Sequence, residues 1–252
     1  MFDECMELEY LKTPEGLKTY ISRANHDFKI VKLAKGSPAF VEKESQNLDD
    51  KYEINTGGDG QAIYHIYRKD KYAGVTFDKN GGDTESWFNH EIVEKGKTFS
   101  EGGGRFPSQK PTKKEYVCIG WAKNAKAIKP NIIKNTAVDE DMTAYAVYKL
   151  GVPKLKMKVR VKKIRKGRKR IKVRVLTLRF RPLKAASGYE AKVVIRGKVR
   201  KIKLKKGRKK LKGFIVGRIV LPRRGKGFLY FRGFKKIKGK KYYGVMLKKR
   251  VR

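Results

Sequence analysis

Lys154-Leu155-Lys156-Met157-Lys158-Val159-Arg160-Val161-Lys162 alternates basic and apolar side chains without a break. After Lys166-Gly167-Arg168, the run Ile171-Lys172-Val173-Arg174-Val175-Leu176-Thr177-Leu178-Arg179-Phe180 resumes the pattern. A period of two puts one set of side chains on each face of a strand, so both runs read as strands with an apolar face and a lysine- or arginine-covered one. The apolar face of the first is Leu155, Met157, Val159 and Val161. In the second, the apolar parity changes between Val175 and Leu176, which predicts a bulge or local twist there. Further strands are expected at residues 189–195, 199–204, 214–221, 228–234 and 242–251. Seven short strands with turns every 8–12 residues predict a β-sandwich over residues 152–252.

The same stretch carries the charge. The 252 residues hold 65 Lys and Arg against 24 Asp and Glu, a net charge of +41. Residues 1–150 are formally neutral, with 23 basic and 23 acidic side chains. Residues 151–252 contain 26 Lys, 16 Arg and one acid, Glu190. The boundary in charge is read as a boundary between domains. With 39% hydrophobic and 11% aromatic residues, both parts can build cores, which argues against simple disorder. No run of about 18 apolar residues exists, so no helical membrane span is expected.

Residues 1–70 read as a mixed α/β segment. Leu17, Tyr20, Ile21 and Ala24 fall at helical spacing behind Pro14, predicting a short helix between Leu11 and Ala24. A strand is expected at Phe28–Leu33, a second short helix at Ala39–Leu48, and strands at Tyr52–Ile54 and Gln61–Tyr67. Residues 72–150 read as a β-rich unit with long loops, opening on a strand at Tyr72–Phe77 and a turn at Asn80-Gly81-Gly82-Asp83.

Two regions resemble known families. Val75-Thr-Phe-Asp-Lys-Asn-Gly-Gly82, then Phe106-Pro107 with Lys110-Pro111-Thr112, then Glu115-Tyr116-Val-Cys-Ile-Gly120-Trp121, and Asp141-Met-Thr-Ala-Tyr145-Ala146-Val-Tyr148 follow the order of the Listeria/Bacteroides repeat of internalin-type surface proteins. The resemblance implies a β-grasp-like unit over residues 72–150. Glu115 replaces the usual Gly, Cys118 fills a position usually aromatic, and Tyr148 replaces a terminal Trp. Leu178 to Glu190, with Ala186-Ser187-Gly188-Tyr189-Glu190, resembles the strand B to strand C segment of bacterial fibronectin type III domains. Leu221 with Gly225-Lys226-Gly227-Phe228, Phe231-Arg232-Gly233-Phe234 and Gly239-Lys-Lys-Tyr242-Tyr243-Gly244 is similar to later runs of the same domains. Leu178 or Phe180 stands where a strand-B Trp is usual, and Phe228 where a corner Tyr is usual. The run from Ile30 to Ala39, with Tyr52-Glu-Ile54, resembles the terminal coil of BspA-like leucine-rich repeats, which would make residues 1–70 the end of an upstream repeat array. The fold class expected is therefore mainly β: a small α+β N-terminal segment, a β-grasp-like repeat domain, and a seven-stranded fibronectin type III-like sandwich.

No catalytic constellation is legible. His26, His65 and His90 lie in unrelated contexts and read as surface or structural residues. Asp78-Lys-Asn80-Gly-Gly82-Asp83 opens like a calcium loop but has Gly82 at position 5 and Asn89 at position 12, so it reads as a turn. Gly102-Gly-Gly104-Arg105 lacks the Gly-Lys-Ser/Thr of a phosphate loop and reads as a flexible turn. Asp139-Glu140-Asp141 reads as a solvated acidic turn, and Cys118 as a small hydrophobe. Neither a metal nor a cofactor is expected.

The basic surface is the remaining candidate. Lys154, Lys156, Lys158, Arg160, Lys162, Arg168, Lys169, Arg170, Lys172, Arg174, Lys201, Lys203 and Lys205 are the residues expected to meet a polyanion. Spread over both outer faces of a sandwich, they would attract without orienting, with steep salt dependence. The resemblances imply a non-catalytic adhesion module of a Gram-positive surface protein, whose partners are cell-wall polyanions such as teichoic acids, or acidic host glycans. The alternative is sequence-nonspecific nucleic-acid binding, against which stands the lack of any helix-turn-helix, zinc-finger or RNP pattern. The acidic start MFDECMELEY has no signal-peptide pattern, so an extracellular or wall-associated location would make this chain a C-terminal fragment, or a wrongly started reading frame, of a longer secreted protein.

Overall fold

A computed structural model describes residues 10–12, 18–21, 28–34, 40–45, 52–55, 62–83, 90–208, 211–222 and 225–251. The protein is mainly β, with no α-helix among the described residues. It divides into two compact units, Met1–Thr112 with Cys118–Val147, and Lys113–Val117 with Tyr148–Arg252.

In the first unit, β1 (Tyr10–Lys12), β3 (Phe28–Ala34), β4 (Phe40–Ser45) and β6 (Ala62–Arg68) form a sheet in the order β1-β6-β3-β4, antiparallel throughout. A separate ribbon pairs β2 (Lys18–Ile21) with β5 (Tyr52–Asn55). Both expected helices are corrected by these pairings. Thr19-Tyr20-Ile21 is a β-branched and aromatic run that pairs with Tyr52-Glu53-Ile54, and Phe40–Ser45 pairs with Phe28–Leu33. A helical spacing of a few apolar residues lost to strand propensity and available edges. Pro14, Leu17, Ala24, Ala39 and Leu48 of those expected helices lie outside the described residues.

A second sheet has the order β10-β12-β7-β8, built from β7 (Tyr72–Asp78), β8 (His90–Glu94), β10 (Tyr116–Ala122) and β12 (Met142–Leu150). The small pair β9 (Lys97–Thr98) and β11 (Ala137–Val138) lies beside it in sequence. β7 and β12 are parallel neighbours at the centre, and β8 pairs antiparallel with β7. The separated aromatic motifs converge here: the Phe77 ring meets Trp121 at 5.1 Å and Phe106 at 5.8 Å, both edge-on, and Phe99 at 5.7 Å. Asn80 and Gly81 both have positive φ, so residues 79–82 form the mirror-image turn that Asn-Gly favours, closed by Gly82 N–H donating to the Lys79 carbonyl. The Asp78 carboxylate accepts the Asn80 N–H at 2.6 Å, which makes it a turn-former. Cys118 is buried, as expected. Gly102 is packed rather than loose: a Cβ there would meet Val93 and the Glu94 nitrogen at 2.7–2.8 Å.

The second unit holds β13 (Lys156–Lys166), β14 (Lys169–Phe180), β15 (Gly188–Ile195), β16 (Lys198–Lys201), β17 (Leu204–Lys206), β18 (Ile215–Leu221), β19 (Gly227–Ile237), β20 (Lys240–Tyr243) and β21 (Leu247–Val251). One sheet runs β13-β14-β18-β17, and the other β16-β15-β19, with β20 and β21 both paired to β19. Leu176, Leu178, Phe180 and Leu221 of the first sheet meet Ala191, Val193, Ile195, Leu229, Phe231 and Val251 of the second in one core, so the two sheets make a sandwich. The seven expected strands become nine. Residues 199–204 split at Ile202, a buried residue whose N–H reaches the Ala191 carbonyl, and the chain there leaves the edge of one sheet for the edge of the other. Residues 242–251 split at Gly244–Met246, where a Gly244 Cβ would come within 2.4 Å of the Leu150 carbonyl.

The expected bulge is absent. β13 and β14 pair in one continuous register from Lys156↔Arg179 to Lys166↔Lys169. The parity change has another cause: Leu176, Leu178 and Phe180 face the core, whereas Val173, Val175, Ile164 and Ile171 share the outer face. Lys172 and Arg174 share the parity of Leu176 but lie beyond the core edge, where charge is tolerated. Val161, expected to be buried, is 66% exposed for the same reason. Phe228 is exposed and Leu229 takes the inward position beside it.

Candidate functional site

Register places the expected polyanion contacts on three distinct surfaces of the second unit. Lys156, Lys158, Arg160 and Lys162 are exposed and share the outer face of the first sheet, joined by cross-strand rows to Arg179, Arg218 and Lys205. Arg170 and Lys172 are exposed on the opposite face of the β13–β14 hairpin, and Arg168 is exposed in its turn. Arg174 is half-buried and donates to the Gly225 carbonyl at 3.2 Å, so it is the most fixed of the set. Lys201 and Lys203 are exposed on either side of the buried Ile202, and Lys154 is exposed ahead of β13. The Lys169 side chain lies outside what the structure describes.

These surfaces do not converge on one cleft. Five of the thirteen, Lys162, Arg168, Lys169, Arg170 and Lys172, do lie together on one projection. The third strand, β18, accompanies β14 only from Phe180 back to Arg174, and β13 is the edge of its sheet. Residues 161–173 therefore continue as a two-stranded ribbon with no third strand among the described residues, about 20 Å of extended chain on each side at about 3.3 Å per residue. Gly167 at φ +60° starts its two-residue turn, the position where a primed turn requires glycine. Lys163 stands directly opposite Lys172, and Arg165 opposite Arg170.

The single acid of this region is fully engaged. Glu190 accepts from Arg232 at 3.1 Å, Lys241 at 3.1 Å and the Tyr243 hydroxyl at 3.2 Å, while the Arg232 guanidinium lies over the Tyr243 ring at 3.5 Å. Burial pushes its carboxyl up, but these three donors outweigh it and hold the group below its ordinary value. The aromatic residues of this unit follow the same division. Phe180 meets Tyr189 and Phe231 edge-on and Tyr189 stacks on Phe231, all within 5.6 Å, whereas Phe228 and Tyr230 lie under the Lys248 ammonium.

The first unit contains a cluster that the sequence did not signal. His65 on β6 and His90 on β8 are both buried, with Nδ1 atoms 2.9 Å apart. Near them is an open cavity of about 320 Å³ lined by Lys29, Tyr67, Gly74, His90, Asp141 and neighbouring backbone. Asp141 accepts from the Gly74 N–H at 2.6 Å, from the Tyr67 hydroxyl at 3.1 Å and from the Lys29 ammonium. Burial pushes this carboxyl up, yet the Gly74 N–H, Lys29 and Tyr67 together hold it below its ordinary value. Asp141 is exposed, as a solvated acidic turn requires, and is in addition an anchor between β3, β6, β7 and the start of β12. A carboxylate already held by three donors is suited to fixing strands rather than to taking a proton from a substrate. The two histidines are 25 residues apart in sequence and meet only because β7 and β8 pair next to β6, so no local motif could have announced them. His26 lies outside the described residues.

Compared with protein-family models, with curated proteins and with solved structures, the chain matches none.

Proposed function

We propose that this chain is a non-catalytic adhesion module of a modular bacterial cell-surface or cell-wall protein, in which the basic sandwich attaches to polyanions such as teichoic acids or acidic glycans. The observation that carries the reading is the division of charge: a formally neutral first 150 residues, followed by 42 cations and one acid on a unit whose strands turn most of those cations to solvent. The acid is engaged by Arg232 and Lys241, so the exposed charge of residues 151–252 is overwhelmingly cationic. The repeat-like residues 72–150 and the fibronectin type III-like residues 152–252 support a surface location by resemblance, with an extracellular or wall-associated compartment. Sequence-nonspecific binding of nucleic acid is the second reading, favoured by the projecting basic ribbon, since a two-stranded ribbon fits the major groove of a duplex.

Binding of the full chain to cell walls, before and after removal of their teichoic acids, tests the proposal across a salt series. The expected result is binding to intact walls that weakens steeply with salt and disappears on stripped walls. Binding to duplex DNA that is tighter and more salt-resistant than binding to walls would overturn it.

A further inference from the structure

We infer that the projecting β13–β14 ribbon is the principal polyanion-binding element of the chain and that its occupant is a flexible, linear phosphate-bearing polymer. The inference rests on the polyanion reading above and assigns it to one element.

Three features of the ribbon support this. Between Arg160 and Arg174 there are ten basic residues and no acid, a density that residues 198–212 equal. The ribbon lacks a supporting third strand among the described residues, so both of its edges are open, and its described side chains between Val161 and Lys172 are exposed on both faces except Ile164. Finally, Lys163 lies directly opposite Lys172 and Arg165 opposite Arg170. Like charges in directly opposed positions destabilise a strand pair. Charge needed only for solubility could be staggered or paired with acids, as in the neutral first 150 residues. The repulsion is relieved when an anion lies between the opposed cations, which is the arrangement expected of a binding surface.

The open geometry also selects the kind of anion. Lys163, Lys172, Arg165 and Arg170 occupy one face of the ribbon, Arg160 and Lys162 the other, and Arg168 the turn. A flexible chain can fold around a rod about 20 Å long and neutralise both faces. A duplex is stiff over about 50 nm and cannot wrap around it, so it could meet the ribbon only by taking it into one groove. The ribbon also carries no aromatic side chain to stack on a base.

The test compares the full chain with two fourfold variants of equal charge loss. The arm variant carries Lys163→Ser, Arg165→Ser, Arg170→Ser and Lys172→Ser; the control carries Lys198→Ser, Lys235→Ser, Lys236→Ser and Lys240→Ser. Binding to purified poly(glycerol phosphate) and to a short DNA duplex is measured over a salt series. The arm variant is expected to lose affinity for the polymer by on the order of tenfold or more at low salt, and its slope of log K against log salt should fall by up to about three, at about 0.7 per phosphate lost. The control should keep both. The arm variant should also melt no lower than the parent, since opposed like charges are removed; a structural role for the arm would lower the melting temperature. Equal losses in the two variants would show diffuse attraction and overturn the assignment to the arm while leaving the polyanion reading intact. An arm-dependent preference for the duplex would overturn the choice of a flexible polymer, and no binding of the parent chain to either probe would overturn both readings.

Discussion

The Nδ1 atoms of His65 and His90 lie 2.9 Å apart in the interior of the first unit, with the rings tilted by 55°. A single hydrogen fits between them, so one ring donates and the other accepts. The accepting ring must be the neutral tautomer protonated at Nε2. Imidazole ¹⁵N shifts at neutral pH should therefore show one histidine with a bare Nδ1; two rings both protonated at Nδ1 would contradict the contact. His90→Leu takes this partner from a buried ring nitrogen, and should cost about 1–3 kcal/mol in urea denaturation. The double replacement of both rings should cost less than the sum of the two single changes, because they share one interaction.

Asp141 gives the acid side of stability a defined sign. Its carboxyl is held below its ordinary value by Gly74, Lys29 and Tyr67 against the effect of burial. A depressed carboxylate contributes stability that is complete above the unfolded value of about 3.9 and is lost as pH falls through the folded one. Asp141→Asn should therefore destabilise the first unit most at neutral pH, and the gap from the parent should close as the pH falls below about 4. Trp121, buried in that unit, provides the fluorescence readout. A gap that stays constant across this window would rule out the carboxylate as its source.

How much of this was legible in the sequence follows from the physics of each part. Strict alternation from Lys154 to Lys162 announced a strand because period two is a property of neighbouring residues, and the strand is there. Whether its apolar side chains are buried depends on where the opposite sheet ends, which is not local. Val161 continues the inward row of Val159 and yet is exposed, because the core stops short of it. The supposed bulge at Val175 had the same origin: Ile171 and Val173 were read as core because they are apolar, when they sit on the outer face of a ribbon. The helices expected around Tyr20 and at Phe40 failed because a few apolar residues at helical spacing weigh less than β-branched and aromatic runs with a pairing partner. The cationic surface was readable residue by residue, but its gathering into a projecting arm was set by the length of β18. The His65, His90 and Asp141 cluster was hidden because three strands from separate parts of the chain assemble it.

Glu115 occupies a left-handed backbone position, φ +66°, a conformation that glycine adopts without penalty. Its carboxylate accepts the N–H groups of Ala185 at 2.8 Å and Lys184 at 2.9 Å, which hold its carboxyl below the ordinary value. The two features oppose each other, since the backbone favours glycine and the side chain caps a turn. Glu115→Ala removes the cap and keeps the strain, whereas Glu115→Gly removes both. Ala should therefore be the less stable of the two by about 1 kcal/mol, the scale of the left-handed penalty. A glycine variant less stable than the alanine variant would show that the backbone at this position is not strained.

Glu190 is the sole acid among 102 residues and sits where Arg232, Lys241 and Tyr243 converge. Replacing it with Gln leaves two cations facing each other without a counter-charge, at a site more than one-third exposed, where solvent screens much of the repulsion. The expected loss is below about 1 kcal/mol at physiological salt and larger at low ionic strength, where the Debye length grows from about 8 to 30 Å. The pH dependence has the sign of a depressed carboxylate: the stability difference between Glu190→Gln and the parent is full above about pH 4.3 and shrinks as the carboxyl protonates. Thermal melts at two salt concentrations and at pH 7 and 3 check both dependences. If the salt sensitivity of the variant equals that of the parent, the ion pairs of Glu190 do not help hold the second sheet against the charge around it.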